Sequence, residues 1–202
     1  MIGRDVIEVL TYGVAITIIR PSGNITGEYA LIKTNKQVTK PFIREFFQEA
    51  TLAHDTAVVP GDVIWASDGR FLLVMNKTPK VMENAVYQHD CVLYKANVAG
   101  TIKRPSQGPR SADYTTPTVW TDIKTQAHGL MTESLYGNEL DDDEAVGDIV
   151  RAAQDLYAPA AYGLAVGDQY WLSATEYYRV EHIKTRRYDN VVIAVLGNDT
   201  RA

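Results

Sequence analysis

From Val14 to Ile19 the chain runs Val-Ala-Ile-Thr-Ile-Ile and is closed by Pro21-Ser22-Gly23-Asn24, and Tyr29-Ala30-Leu31-Ile32-Lys33 follows. Short β-branched and apolar runs bounded by turn residues predict strands. Val63-Ile64-Trp65, then Ser67-Asp68-Gly69, then Phe71 to Met75 predicts a hairpin, because Asp-Gly supplies the positive φ of a tight turn. Val86 to Tyr94 predicts a further strand, and Tyr177 to Ile183 with Val191 to Leu196 another pair. Two places carry helical signals instead. Thr39 to Phe47 has an early proline and apolar residues at helical spacing, and the acidic run at 141 to 144 opens a segment through Val146, Ile149 and Val150.

The pattern recurs. Gly61-Asp62-Val63-Ile64-Trp65 matches Gly167-Asp168-Gln169-Tyr170-Trp171, 106 residues on (167 − 61). The same spacing pairs Ser67 with Ser173, Phe71 with Tyr177, Val74 with Val180 and Asn84 with Asn190, and it places Gln48 and Glu49 on Gln154 and Asp155. Ile32-Lys33-Thr34 resembles Ile123-Lys124-Thr125 at a spacing of 91 (123 − 32), which puts 15 extra residues (106 − 91) in the second copy. Their expected place is an acidic loop inserted near 128 to 147. The expected architecture is therefore mainly β, with two tandem small barrel or sandwich modules and one or two short helices. Residues 1 to 103 form the first module, 104 to 117 a linker, and 118 to 202 the second.

Composition narrows function more than it specifies it. With 20 Lys and Arg against 25 Asp and Glu among 202 residues, the net charge of −5 offers no overall footprint for gripping nucleic acid. The basic stretch Lys103 to Ser111 contains Pro105, Gly108 and Pro109 and reads as part of the solvated linker. The opening Met1 to Leu10 has Asp5 and Glu8 where a signal peptide needs an apolar run, and no stretch reaches the ~18 apolar residues of a membrane helix. The expectation is a protein that stays where it is made, off the membrane. The single cysteine, Cys91, lies in an apolar run and is expected to be a buried small hydrophobe.

Candidate chemistry is sparse. His54-Asp55 and His89-Asp90 use a pairing found in metal phosphohydrolases, yet His89-Asp90 lies in an expected strand, whose successive residues point to opposite faces and cannot share one ion, and His54 lies in an expected loop. Asp62 and Asp168 could interest a search for paired carboxylates, but an aspartate after glycine at a strand entrance is expected to cap its turn. Trp65 and Trp171 are expected to anchor the two cores. Glycine-rich phosphate cradles and nucleophile elbows are absent, and Asp141, Asp142, Asp143 and Glu144 lack the ligand spacing of a calcium loop. The expectation is no enzyme, cofactor or metal. Tyr157, Tyr162, Tyr170, Tyr177, Tyr178 and Tyr188 crowd the second copy. Tyr157, Tyr162, Arg186, Arg187 and Tyr188, with the acidic run 141 to 144, are the candidate partner interface.

Val59-Pro60-Gly61-Asp62-Val63-Ile64-Trp65-Ala66-Ser67-Asp68-Gly69-Arg70-Phe71 and Leu164 to Trp171, with the opening Met1-Ile2-Gly3-Arg4-Asp5, resemble the small β-barrel head-closure, or stopper, proteins of the neck of tailed bacteriophages. The resemblance implies a virion protein, made in the host bacterial cytoplasm, that forms a homo-oligomeric ring between portal or adaptor and tail. The ring seals packaged DNA, which passes its lumen without specific contacts, and offers the tail a docking surface. Two modules in place of one depart from that pattern. The other readings are a tail-completion or other tail or capsid accessory protein and, in another class, a tandem-barrel binding module for peptide or single-stranded nucleic acid. The last would draw on Arg179, Lys184, Arg186 and Arg187.

Overall fold

A computed structural model of the chain describes residues 12–34, 46–109, 116–133 and 154–198. They form two closed barrels in tandem. The first comprises β1 (Val14–Ile19), β2 (Ile25–Thr34), β3 (Phe47–Ala53), β4 (Val63–Ala66), β5 (Phe71–Met82) and β6 (Ala85–Lys95). The second comprises β7 (Val98–Gln107), β8 (Thr118–Glu133), β9 (Gln154–Pro159), β10 (Gln169–Trp171), β11 (Tyr177–Tyr188) and β12 (Val191–Asn198). Around the first wall the order is β1-β2-β3-β6-β5-β4, and around the second β7-β8-β9-β12-β11-β10. The two paths are the same, strand for strand, and every pairing is antiparallel.

Register fixes the equivalences. Trp65 faces Phe71 as Trp171 faces Tyr177, at the expected spacing of 106. Asn84 and Asn190 sit in the corresponding hairpin turns, both with φ near +60° (64° and 58°). The spacing of 91 for β2 is corrected. Val14 faces Ala30 and Val98 faces Gly129, while Leu31 faces Thr51 and Leu130 faces Tyr157, so β2 and β8 are 99 residues apart (129 − 30). For the first strands, Ile19 faces Val63 and Lys103 faces Gln169, a spacing of 84 (103 − 19). The 15 extra residues (99 − 84) therefore belong to the β7–β8 hairpin, and seven more (106 − 99) lie between β8 and β9. The triplet Ile-Lys-Thr misled because it recurs in the lengthened β8 by composition alone.

That hairpin also moves the expected boundary. The chain crosses between barrels at Ala96 and Asn97, and residues 98–107 are the first strand of the second barrel. Lys103 to Gln107 of the basic stretch expected to be a linker are one side of an arm, with Pro105 opposite Trp120 and Gln107 opposite Thr118. Val119, Trp120 and Ile123 are exposed on it.

Alternation along each strand fills the barrels. Ile16, Ile18, Leu52, Ile64, Ala66, Leu72, Val74, Cys91 and Leu93 close the first interior. Ile102, Leu130, Leu156, Tyr170, Val180, Ala194 and Leu196 occupy the second. The tryptophans do not anchor these cores. Trp65 is 42% exposed and Trp171 only partly covered, because Ile64 and Tyr170, one residue earlier, take the inward positions. The expected helix at 39–47 lies largely outside the described residues, although Phe47 opens β3. The segment after 141 lies wholly outside them. A three-residue 3-10 helix, Ala160–Tyr162, follows β9.

Candidate functional site at the joint between the barrels

Each barrel has one buried carboxylate among the described residues, Asp62 at 5% exposure and Asp168 at 1%. Arg20 follows β1, and the register of β1 on β4 delivers it beside residue 62. Its Nε donates to Asp62 Oδ1 and its Nη2 to Oδ2, both at 2.6 Å, while Nη2 also donates to the Ala57 carbonyl at 2.7 Å. The Val59 N–H adds a third bond to the carboxylate, at Oδ2, at 2.8 Å. In the second barrel Arg104 donates to Asp168 at 2.9 and 2.8 Å and to the Gly163 carbonyl at 2.6 Å, and the Ala165 N–H bonds Oδ2 at 2.8 Å. The partners coincide residue for residue. The planar fork suits a carboxylate in this bidentate pose, and the neighbouring carboxylate raises each arginine above its usual range.

The turn-capping expected of the aspartates is present in the Val59 and Ala165 amides. Sequence reasoning missed the arginines. A signal was there: Val14 to Ser22 and Val98 to Ser106 are identical at seven of nine positions, including Arg-Pro-Ser. Gly61 and Gly167 precede the aspartates at φ +87° and +91°, which an L side chain rarely adopts.

In the first barrel this end is joined to the second. A Cβ on Gly61 would collide with the backbone of Asn190. Beside that contact lies a cleft of about 410 Å³, lined by Ile19, Arg20, Pro60, Pro159, Ala160 and Tyr162 among others. Outward-facing Val63, Leu73, Met75 and Tyr94 of the first barrel are buried in the same cluster as the second barrel's interior. Tyr94 meets Phe47 edge-on at 4.4 Å and Tyr157 at 5.5 Å, and its hydroxyl lies 3.4 Å from that of Tyr188. Phe71 stacks on His128 at 3.7 Å, with the planes 10° apart. Asn97 closes the crossing, donating to the Met131 carbonyl and accepting its N–H, both at 2.8 Å.

Tyr157, Tyr162 and Tyr188, candidates for a partner surface, thus serve a joint within the chain. Burial raises Tyr94 and Tyr157 above the ordinary phenol range and pushes Tyr162 up to about 12. Burial, helped by Lys124, holds His128 below the usual imidazole value. Arg187 is exposed, 5.7 Å from the Tyr188 ring. The Arg186 side chain and residues 141–144 lie outside the described residues.

His54 and Asp55 are exposed in the turn after β3, and His89 Nε2 lies 3.2 Å from the His54 carbonyl. Asp90 is bound by Lys80 at 2.7 Å. Among the described residues no three His, Cys, Asp or Glu side chains group to hold a metal. No described helix is long and apolar enough to cross a membrane. The Cys91 thiol is buried and pushed up to about 12 by desolvation.

Comparison with protein-family models, curated proteins and solved structures finds no match for this chain. The site is therefore read from its own chemistry.

Proposed function

We propose that the protein is a structural component of the head-to-tail neck of a tailed bacteriophage, a ring-forming block that seals packaged DNA and gives the tail its docking surface. The observation that carries the reading is the use made of buried charge. Asp62 and Asp168 each accept two bonds from an arginine fork and one from a backbone amide, so both carboxylates are committed to holding their turns. A chain that spends its repeated ionic groups on duplicated framework suits a building block. The aromatic joint packs the two barrels directly against each other, which suits a building block, and the sequence resemblance points the same way. Closed walls have no free edge strand to offer along their paired length, so assembly falls to loops and arms. The net charge of −5 suits a lumen that lets DNA pass without adhesion.

Adding the purified chain to particles that lack it tests the reading. A new ring-shaped layer at the portal vertex is expected; a chain that ignores such particles overturns it.

A second reading, a module for peptide or single-stranded nucleic acid, draws on the outer wall of the second barrel. There Trp171 and Tyr177 stack at 4.7 Å and Lys103 Nζ lies 4.1 Å from the Trp171 ring. Quenching of tryptophan fluorescence by a short oligothymidylate at moderate salt would favour it.

A further inference from the structure

The joint between the barrels is heterologous: one end of the first barrel meets the opposite end of the second. Each barrel has both ends, so the joint leaves one of each unused among the described residues. The unused end of the second barrel is Arg104-Pro105 with Ala165 to Asp168, the counterpart of Arg20-Pro21 with Val59 to Asp62. Gly167 there has the backbone of Gly61 but nothing within 4 Å of a Cβ position, and Val166 is 63% exposed. The unused end of the first barrel is the turn His54-Asp55 with Glu83-Asn84, the counterpart of Ala160-Ala161 with Asp189-Asn190. Asn84 shares the left-handed backbone of Asn190, the residue that seats on Gly61. Met82, where the second barrel has Tyr188, is 42% exposed.

We propose that copies of this chain dock on one another by repeating the internal joint, the Val166-Gly167 end of one second barrel seating on the His54-Asp55 and Asn84 end of the next copy's first barrel. The occupant is a second copy because the counterpart surface is one the chain already recognises, and because charge matches it. Lys103 and Arg179 stand where the first barrel has Ile19 and Leu73, whereas Asp55 and Glu83 mark the opposite end. Lys103 leans on Asp122 at 3.7 Å, but Arg179 and Glu83 have no ion-pair partner among the described residues. The internal joint is apolar and permanent; its external repeat is polar, hence salt-sensitive and reversible. A heterologous contact closes into a ring when its rotation allows, so this inference deepens the neck reading and rests on it.

The full chain carrying His54→Cys and Val166→Cys, treated with a short bifunctional thiol reagent, tests the contact. Cys91 is buried and does not compete. Pro60→Cys with Ala160→Cys, whose parent residues line one cleft, is the internal control. The test pair is expected to give a ladder of linked copies and the control pair a single linked chain. Sedimentation should show Glu83→Lys and Arg179→Glu each weakening association about tenfold, and the double variant recovering it. Linked monomers alone from the test pair, or a double variant no better than the singles, overturn the proposal. Chains that add to particles yet give no ladder there overturn this contact and leave the neck reading standing. A ladder from chains that ignore particles keeps the contact and sinks the neck reading.

Discussion

The two barrels follow one path through space, yet the same wall has met two fates. On the first, Val63, Leu73 and Met75 point outward and are buried by the second barrel. At the matching places the second has Gln169, Arg179 and Glu181, and the Glu181 carboxylate packs against Gly197, where the first has Tyr94. The wall that meets the other barrel is apolar; its counterpart is polar, with Glu181 exposed, Arg179 partly so, and Gln169 buried beneath its own neighbours, its Oε1 accepting from Trp171. The difference explains why the internal joint stops at two barrels. The interiors differ in a compensating way. Ile16 and Ile64 fill a space that Gly100 and Tyr170 fill in the second barrel, and a Cβ on Gly100 would come within 2.7 Å of the Tyr170 ring. Total volume is kept while its distribution changes, as dense packing demands.

Removing the shared ionic fork is the strongest way to break this comparison. Asp62→Ala and Asp168→Ala should each cost about 3 kcal/mol in denaturant unfolding, since a guanidinium and an amide lose their acceptor. Asp62→Ala should be the worse, because Arg20 is 25% exposed against 41% for Arg104 and rehydrates less easily.

The glycines that precede those aspartates separate backbone strain from contact. Gly167→Ala should lose about 1 kcal/mol to its positive φ alone. Gly61→Ala should lose about 2 to 3 kcal/mol, as it also collides with Asn190. Calorimetry is expected to show its transition split as the barrels part, and equal losses at both sites would contradict the joint.

Swapping the interior pair sharpens the packing argument. Gly100→Ile should cost about 2 kcal/mol by overpacking, and Tyr170→Ile a similar amount by leaving a void and an unbonded Ala127 carbonyl. The double variant should cost less than the sum, with the coupling read from a double-mutant cycle.

The smallest expected effect is on pH. His128 has its folded value lowered, so the folded state favours the neutral ring stacked on Phe71. The unfolded chain takes up its proton first as pH falls below the ordinary imidazole value of about 6.5, and stability declines from there toward the folded value. His128→Phe should flatten that part of the acid limb in unfolding measured against pH, leaving the contribution of His89, which is also lowered.

Much of the frame is legible in the sequence. Asp68-Gly69 and the matched Asn84 and Asn190 announced hairpins, because a positive φ restricts residue type locally. The buried aspartates were found but half understood, since Arg20 lies 42 residues from Asp62 and Arg104 lies 64 from Asp168, beyond any turn-scale pattern. A repeated aromatic strand position argues for core at Trp65 and Trp171, whereas a one-residue register decides the face.

By itself the sequence determined that the chain is β-rich and duplicated, because alternation, turn residues and repetition are properties of neighbours along the backbone. Tertiary structure alone decided that the walls close, which wall of the first barrel is covered, and that Tyr157, Tyr162 and Tyr188 out of the crowd of tyrosines serve an internal joint. Those outcomes depend on strands brought together from distant parts of the chain, where register and shape, and not local preference, choose the partner.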